Sequence, residues 1–278
     1  MRETEALKQI ARGLRRDIVE MIYRAGSGHP GGSLSIADLI TALYFDEMNQ
    51  SSDRVGDPAR DRFVLSKGHT APALYAALAK AGYFDREELW KLRQVGAMLQ
   101  GHPDRKGTPG VDASTGSLGL GISAACGMAK AAKITGAKYH VYTILGDGES
   151  QEGEVWEAAM FAAHYKLDNL TAFLDYNKLQ IDGDVREVMN PDPLDEKLRA
   201  FGWEVRFIDG HDFRQIEAAV SSGVSGRPLM IICDTVKGKG VSFMENAVGW
   251  HGKAPKQPEY ETAVKELESA LEEFAEVE

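Results

Sequence analysis

The sequence predicts an α/β fold in which a parallel sheet is covered by helices on both faces, with a helical elaboration at its N-terminus. Apolar runs rich in Val, Ile and Leu, such as residues 140–145 and 228–235, alternate with helical segments of roughly 11 to 15 residues. Continuous apolar runs are typical of parallel strands that are buried on both faces. No internal repeat or linker is evident, and we therefore expect residues 1–278 to form a single domain.

The N-terminal part of this domain, residues 1–60, is predicted to be helical. Residues 4–25 have aliphatic side chains at helical spacing, and the glycines and proline of 27–33 are expected to end this helix in a loop. Ser35 is the predicted N-cap of a second helix over 36–48.

The α/β core is predicted over residues 61–257, and an acidic amphipathic helix is predicted over 258–278. A glycine-rich loop over 96–121 has hardly any periodicity, which is typical of a functional loop. Within the core the predicted strands are 63–66, 140–145, 169–176, 203–209 and 228–235, and the predicted helices are 71–82, 85–93, 123–134, 152–165 and 212–222.

Composition and charge disfavour several classes of partner. A net charge of −10 argues against nucleic acid or an anionic membrane, because both require clustered Lys and Arg. The chain has neither a long apolar run nor a signal-peptide pattern, which predicts a cytoplasmic protein with no membrane partner. Cys126 and Cys233 lie within apolar runs, and we expect both to be buried thiols.

Two polar residues follow successive strands and predict a metal–diphosphate site. Asp147 stands between two glycines in LGDG (145–148), and Asn177 stands 30 residues later in DYNKL (175–179). If the two strands are neighbours, both side chains open into one crevice at the carboxyl ends of the strands. Carboxylate and amide oxygens suit Mg²⁺ or Ca²⁺, and a single carboxylate leaves the cation in need of a further anion such as a diphosphate.

The flanking residues favour the same interpretation. Gly146 and Gly148 allow a sharp turn and the close approach of a ligand. The N-terminus of the helix over 152–165 is expected to direct free N–H groups toward the anion. A glycine-bracketed aspartate by itself is more often a structural Asx turn. Because Asn177 follows at this spacing, we interpret Asp147 as a metal ligand rather than as part of a structural turn.

Several motifs together resemble the transketolase family. They are GDGESQEG with NLTAFLDYNKLQIDG, and also SGHPGGSLS (27–35), LSKGH (65–69), GHPD (101–104), STGSLGLGIS (114–123) and KGKGVSFMENAVGWHGKAP (237–255). The resemblance covers nearly the whole chain in order. It implies the thiamin-diphosphate-binding (PP-type) fold and the two-carbon transfer chemistry of that family.

The resemblance also implies a ligand set for thiamin diphosphate and a divalent cation, either Mg²⁺ or, in its place, Ca²⁺ or Mn²⁺. Asp147, Asn177 and the backbone carbonyl of Leu179 would bind the cation. Gly116 and Leu118 would offer backbone carbonyls to the aminopyrimidine ring. The full implied cofactor-binding set is His69, Gly116, Leu118, Gly146, Asp147, Gly148, Glu149, Asn177 and His251.

Catalytic residues are implied in the same way. His29, His69, His102 and His251 would line the substrate funnel, bind sugar hydroxyls and assist proton transfers. Neutral imidazoles are suited to these transfers near pH 7. Glu152 would join a carboxylate network that crosses a subunit interface. We expect His140, His164 and His211 to be structural, and Lys237 and Lys239 to be loop lysines.

A second polypeptide is implied because the chain ends after the first of the family's three domains. This partner would carry the pyrimidine-binding and C-terminal domains and supply the glutamate that activates the cofactor. We expect a two-plus-two (α2β2) assembly that moves a two-carbon unit from a ketose phosphate such as xylulose 5-phosphate to an aldose phosphate, as in the pentose phosphate pathway. The chain alone is expected to be inactive.

Other functions stay open at this point. The same assembly could serve a specialised ketose phosphate or dihydroxyacetone synthesis. The α subunit of a 2-oxo acid dehydrogenase also carries GDG and Asn, although SGHPGGS and WHGKAP are not expected there. The chain could also be a non-catalytic paralogue that binds the cofactor as a sensor or scaffold, or a piece of a longer protein.

Overall fold

A computed structural model describes residues 3–275, with the side chains of the last helix described to Ser269, and it confirms the parallel sheet. The strands are β1 (Arg62–Leu65), β2 (Val141–Gly146), β3 (Leu170–Tyr176), β4 (Leu179–Gln180), β5 (Gly183–Asp184), β6 (Glu204–Asp209) and β7 (Leu229–Asp234). In this part of the chain, five strands form a parallel sheet in the order β1-β2-β3-β7-β6, while β4 and β5 form a short antiparallel pair.

Helices cover both faces of the sheet, as predicted. They are α1 (Thr4–Ala25), α2 (Pro30–Ser35), α3 (Ala37–Ala42), α4 (Ala71–Lys80), α5 (Leu120–Thr135), α6 (Gly153–His164), α7 (Val185–Met189), α8 (Leu194–Ala200), α9 (Phe213–Ser221) and α10 (Gln257–Ala275). Alternate residues of β3 show the two layers, since Phe173 packs with residues of α1, α3 and α4 while Ala172 and Leu174 pack with residues of α5 and α6. Burial on both sides explains why the strands are continuously apolar.

The pairing of β2 with β3 positions the functional edge. The two strands run parallel, and Gly146 at the end of β2 pairs with Asp175 near the end of β3. The residues that follow each strand therefore emerge at the same edge. Ala158, Ala159 and Ala162 form a small buried face on α6, which lets this connecting helix lie close to the sheet.

The structure corrects the prediction around residue 30. Pro30–Ser35 is a short helix rather than a loop, because proline is well suited to the first position of a helix, where its missing N–H costs nothing. Ser35 is consequently not an N-cap. Its hydroxyl donates to the carbonyl of Gly32 at 2.9 Å and to a carboxylate oxygen of Asp175 at 2.7 Å.

Other element boundaries also differ. The predicted helix over 36–48 is α3 followed by a π-helical turn at Leu43–Glu47, and the one over 85–93 is a 3₁₀ helix at Arg86–Lys91. The short helices α7 and α8 and the β4–β5 pair were not predicted, because each is too short to show a clear periodicity. Residues 276–278 of the predicted acidic helix lie outside the described range. Among the described helices, none has the length and apolar character needed to cross a membrane.

Candidate active site

A cavity of about 370 Å³ opens at the carboxyl ends of β2 and β3. This volume lies in the range of small-molecule sites, roughly 300 to 1,000 Å³. Most of the residues predicted for the site border it. They are His29, His69, Gly116, Leu118, Gly146, Asp147, Gly148, Glu149, Glu152, Asn177, Leu179 and His251.

Asp147 is a buried carboxylate held by backbone donors. Its Oδ1 accepts a hydrogen bond of 2.7 Å from the N–H of Gly148, and its Oδ2 accepts one from the N–H of Lys178, which follows β3. Burial, followed by the nearby charge of Asp175, raises the pKa of Asp147 to about 7. The ionised form therefore gains from a compensating cation at this position.

Asn177 and Leu179 border the same cavity as Asp147. The Nδ2 group of Asn177 donates to Asp175 at 2.7 Å, and its Oδ1 accepts the N–H of Leu179 at 3.1 Å. No group of three or more His, Cys, Asp or Glu side chains within residues 3–275 is arranged to hold a metal ion. The predicted cation ligands are of a different kind, namely one carboxylate, one amide oxygen and one backbone carbonyl, which are hard donors suited to Mg²⁺.

Three of the four predicted histidines form a cluster at the cavity. The ring centroids of His29 and His69 are 5.2 Å apart, those of His29 and His251 are 5.6 Å apart, and those of His69 and His251 are 5.4 Å apart. The Nδ1 atom of His29 is buried and has no hydrogen-bond partner among the described residues. A buried nitrogen of this kind is free to bind a ligand.

The clustered imidazoles are neutral near pH 7. Burial is the largest cause, and it lowers the pKa of His29 to about 4 and that of His251 to about 3, with further contributions from neighbouring cationic groups. The pKa of His69 is also lowered well below its ordinary value by burial and then by the charge of Lys67. Neutral rings can both donate and accept a hydrogen bond.

His102 and Glu152 lie nearer the solvent. His102 is exposed and does not line the cavity, although its ring is so close to Gly116 that a β-carbon there would lie 3.2 Å from its Cδ2 atom. Glu152 is exposed at the cavity mouth. These two predicted catalytic residues are therefore more exposed than the three histidines of the cluster.

Glu149 borders the cavity, but its carboxylate is engaged by the protein itself. The side chain is 3% exposed and accepts hydrogen bonds from the Ser66 hydroxyl and from the N–H groups of Gly119 and Gly146. A direct contact between this carboxylate and a cofactor would have to replace or share these donors.

The helix predicted over 152–165 begins within one residue of its expected start. A 3₁₀ turn at Gly148–Gln151 separates Asp147 from α6, which begins only at Gly153. The N–H groups adjacent to Asp147 in the chain therefore belong to this turn and not to the helix.

Three residues at the site were not recognised from the sequence. Lys237 is 1% exposed rather than a loop lysine, and its Nζ donates at 2.9 Å both to the carbonyl of Leu179 and to Nδ1 of His251. Asp175 is fully buried and forms an ion pair with Lys67. The Lys in LSKGH and the Asp in LDYN were visible signals, but only the fold shows that they meet. Lys239 does extend toward solvent, where it pairs with Glu245.

Two further expectations hold. His211 is structural, since its Nδ1 bonds Asp38 and its Nε2 accepts the N–H of Val236. Cys126 and Cys233 are buried free thiols.

Comparison with known proteins identifies the family. Residues 5–275 match the family model of the transketolase, thiamine diphosphate binding domain. The chain belongs to the transketolase family. The family assignment, the predicted fold and the transketolase-type transferase activity are thereby confirmed, and the 2-oxo acid dehydrogenase alternative is set aside.

Transketolase relatives are similar over different shares of their own length. The chain is 49% identical over 264 residues to the 6-deoxy-6-sulfo-D-fructose transketolase subunit SqwG of Clostridium sp. (strain MSTE9), covering 94% of this chain and 96% of the relative. It is 42% identical to an apulose-4-phosphate transketolase subunit of Phocaeicola vulgatus, covering 97% and 96%. Human transketolase is 41% identical, and 96% of this chain covers only 43% of that protein.

A solved transketolase structure has the same fold. The crystal structure of transketolase from Campylobacter jejuni superimposes with a TM-score of 0.91 at 32% identity, covering 96% of this chain and 43% of that chain. Relatives named as subunits are therefore matched over nearly their whole length, and the longer transketolases over less than half.

Proposed function

We propose that this chain is the cofactor-binding subunit of a split transketolase, which moves a two-carbon ketol unit from an anionic ketose to an aldose. The observation that carries the proposal is the convergence, at one sheet edge, of a carboxylate, an amide and a carbonyl with three neutral imidazoles. Family membership and the subunit-length relatives support it.

The charges at the site fit thiamin diphosphate with a divalent cation. We propose Mg²⁺, or Ca²⁺ or Mn²⁺ in its place, bound by Asp147, Asn177 and the carbonyl of Leu179. This carbonyl accepts a hydrogen bond from the ammonium of Lys237 at 2.9 Å, so the metal would have to share or replace that contact. A β-carbon at Gly148 would lie 3.1 Å from a side-chain oxygen of Gln180, so glycine keeps this turn open for a diphosphate. When bound, thiamin diphosphate supplies an electron sink for the two-carbon unit.

The imidazoles are proposed to bind sugar hydroxyls and move protons. Because Lys237 donates to Nδ1 of His251, the ring hydrogen of this neutral histidine is on Nε2, which can donate to a sugar oxygen. The unpartnered Nδ1 of His29 can accept a hydroxyl proton. We propose that His69 also contacts the diphosphate. The backbone carbonyls of Gly116 and Leu118 are proposed to accept hydrogen bonds from the aminopyrimidine ring.

For the substrate we propose a specialised ketose with a phosphate or sulfonate group in preference to xylulose 5-phosphate. Two relatives are named for sugars with an anionic substituent, one a sulfo sugar and the other a sugar phosphate. Neutral histidines can bind sugar hydroxyls, and buried lysines can bind anionic groups. These side chains do not by themselves distinguish one sugar from another.

We further propose a separate partner chain with the pyrimidine-binding and C-terminal domains, a two-plus-two assembly, and a cytoplasmic location. Relatives named as subunits have nearly the length of this chain, whereas human transketolase is more than twice as long, which supports a partner. Glu152, exposed at the cavity mouth, is proposed to face that interface.

The proposal is tested by using this chain, tagged, to capture its partner from an extract of its host in the presence of thiamin diphosphate and Mg²⁺. The eluate is assayed for two-carbon transfer with 6-deoxy-6-sulfofructose, apulose 4-phosphate and xylulose 5-phosphate as alternative donors. We expect a co-purifying chain of roughly 30 to 35 kDa, on ordinary domain lengths, and activity that the tagged chain alone lacks.

Each outcome has a definite meaning. Activity of the purified chain alone contradicts the split architecture. If a partner chain co-purifies but none of the three donors reacts, the split architecture is retained and the proposed substrate class is rejected. If no chain binds and no thiamin diphosphate is retained, the sensor and split-enzyme proposals both fail.

A further inference from the structure

Glu149 joins three segments that are far apart in the sequence. Its Oε1 accepts the hydroxyl of Ser66 at 2.6 Å and the N–H of Gly119 at 2.9 Å, and its Oε2 accepts the N–H of Gly146 at 3.1 Å. These donors stand at the end of β1, at the start of α5 and at the end of β2, respectively. One carboxylate thereby connects both sides of the cofactor cavity.

On one side of the cavity, the connection reaches the loop that borders the predicted aminopyrimidine position. Gly119 has a φ of 85° and precedes the first residue of α5, while Leu118 lines the cavity. Ser66 also accepts the N–H of Ile122 through its hydroxyl oxygen at 3.1 Å. A β-carbon on Gly121 would lie 2.4 Å from the Cα of Ser66, so this first turn of α5 is packed tightly against β1.

On the other side, the connection reaches the turn that carries the predicted cation ligand. Gly146, the third donor, directly precedes Asp147 in the chain. The loop also packs on Glu152 and Glu154, since a β-carbon on Gly119 would lie 3.1 and 3.2 Å from theirs. The Glu149 carboxylate adds hydrogen bonds from a single residue to both the loop and the turn.

The two oxygens of the carboxylate together accept the three donors. A glutamine at position 149 has only one side-chain oxygen, and the other oxygen is replaced by an NH₂ group, which is a donor. Depending on its orientation, this NH₂ group would face either the N–H of Gly146 or the donors of Ser66 and Gly119. A glutamine therefore leaves at least one buried donor without its acceptor, which is costly in a site that excludes water.

We propose that Glu149 is a positioning residue that sets the distance between the loop over 116–119 and the turn over 146–148, so that the two ends of thiamin diphosphate are held at once. This inference rests on the proposed function. It gives Glu149, which the transketolase resemblance places in the cofactor-binding set, a positioning role.

The first test needs no cofactor. Amide hydrogen exchange is measured on the purified full chain, comparing the wild type with Glu149→Gln and with the control Glu157→Gln. Glu157 is exposed on α6. We expect faster exchange in Glu149→Gln for peptides spanning 116–122, and unchanged exchange there in the control.

The second test compares two probes on the assembly with the partner chain. Calorimetry measures the dissociation constants of Mg²⁺–thiamin diphosphate and of Mg²⁺–pyrophosphate, which lacks the aminopyrimidine. We expect Glu149→Gln to weaken thiamin diphosphate by about tenfold, as for the loss of one buried hydrogen bond, and to leave pyrophosphate within about twofold. Ser66→Ala, which removes one donor and keeps the carboxylate, should show the same selectivity with a smaller effect.

The other results overturn the inference. Equal weakening of both probes means that Glu149 acts on the diphosphate end or on overall stability. Unchanged exchange and unchanged affinities mean that the three hydrogen bonds do not position the loop. If the wild-type assembly binds neither probe, the proposed function fails, and the exchange experiment still decides whether Glu149 orders the loop.

Discussion

The ammonium of Lys237 donates a hydrogen bond of 2.9 Å to the backbone carbonyl of Leu179, the oxygen proposed as the third cation ligand. The same ammonium contacts His251, and burial, followed by the charge of Lys67, lowers the pKa of Lys237 to about 8. A buried cation therefore stands where the diphosphate and its metal are proposed to bind.

Lys237→Met should weaken thiamin diphosphate in the assembled enzyme by roughly 10- to 100-fold, the range for losing a charged hydrogen bond of about 1.5–3 kcal/mol. The matched control is Lys239→Met, two residues away, since Lys239 extends toward solvent and pairs with Glu245. Calorimetric titration of both variants with Mg²⁺–thiamin diphosphate checks the prediction. Equal affinities in the two variants would mean that the Lys237 charge is not used.

Asp147→Asn should abolish most of the metal-dependent binding of thiamin diphosphate. We expect a loss of at least about 100-fold, because removing groups that only orient metal ligands already costs roughly 10- to 100-fold. Asp182→Asn, an exposed acid in the turn between β4 and β5, serves as the control. Titrations with excess Mg²⁺ and with excess EDTA measure the effect. If Mg²⁺ strengthens thiamin diphosphate binding to Asp147→Asn as much as to Asp182→Asn, Asp147 is not a metal ligand.

Arg15→Met should lower the free energy of unfolding by about 3–5 kcal/mol, as for breaking a buried ion pair. Arg15 makes two hydrogen bonds to Asp38, at 2.9 and 2.6 Å, and Asp38 also bonds His211. Burial by itself would raise the pKa of Asp38, but Arg15 and His211 hold it well below its ordinary value. Arg16→Met is the control, since its pairs with Glu20 and Glu268 are partly exposed and should be worth less than about 1 kcal/mol. Urea denaturation of the two variants compares them.

In the chain without cofactor, His29 and His251 should each contribute stability that rises with pH between about 4 and 6.5. Burial and nearby positive groups lower the folded-state pKa of His29 to about 4 and of His251 to about 3, from an ordinary value of 6.5. The positive groups are Arg93, His102 and Lys237 around His29, and Lys237, His29 and Lys67 around His251. At these two histidines the unfolded chain therefore binds more protons in this range, so their contribution to stability falls as the pH falls. Asp147 contributes in the opposite direction, because burial raises its folded-state pKa to about 7.

Each of these histidines can contribute at most about 1.4 kcal/mol per pH unit, and partial exposure to solvent reduces this value. His29→Asn and His251→Asn should each lower the slope of the melting temperature against pH between about 4 and 6.5, because each removes a contribution that rises with pH. His164→Asn, at an exposed position on α6, should leave it unchanged. An identical slope in all three variants and the wild type would show that the buried imidazoles do not set it.

Much of the fold was predictable from local patterns. The strands around 140–145, 169–176 and 228–235 were placed to within one residue at each end, because buried parallel strands are continuously apolar. The failures were elements with little periodicity, such as the six-residue helix α2, where the glycines around Pro30 indicated a loop. Packing against the sheet, which a local pattern does not contain, stabilises such short helices.

The candidate site divides in the same way. Asp147 and Asn177 were predictable, because the carboxyl ends of successive parallel strands meet at one edge. The transketolase resemblance added the histidines. Lys237 was interpreted as a loop lysine, since its burial depends on contacts with Leu179 and His251 that are distant in sequence.

The sequence by itself determined the class of fold, the family and the position of Asp147 and Asn177 at one sheet edge, because strand periodicity and short motifs are local properties. Only the tertiary structure decided which buried groups support that edge. The ion pair of Lys67 with Asp175 and the hydrogen bonds of Glu149 each join residues from separate elements. Polar groups can be buried at these positions only because their partners arrive from elsewhere in the fold, and no stretch of sequence specifies that meeting on its own.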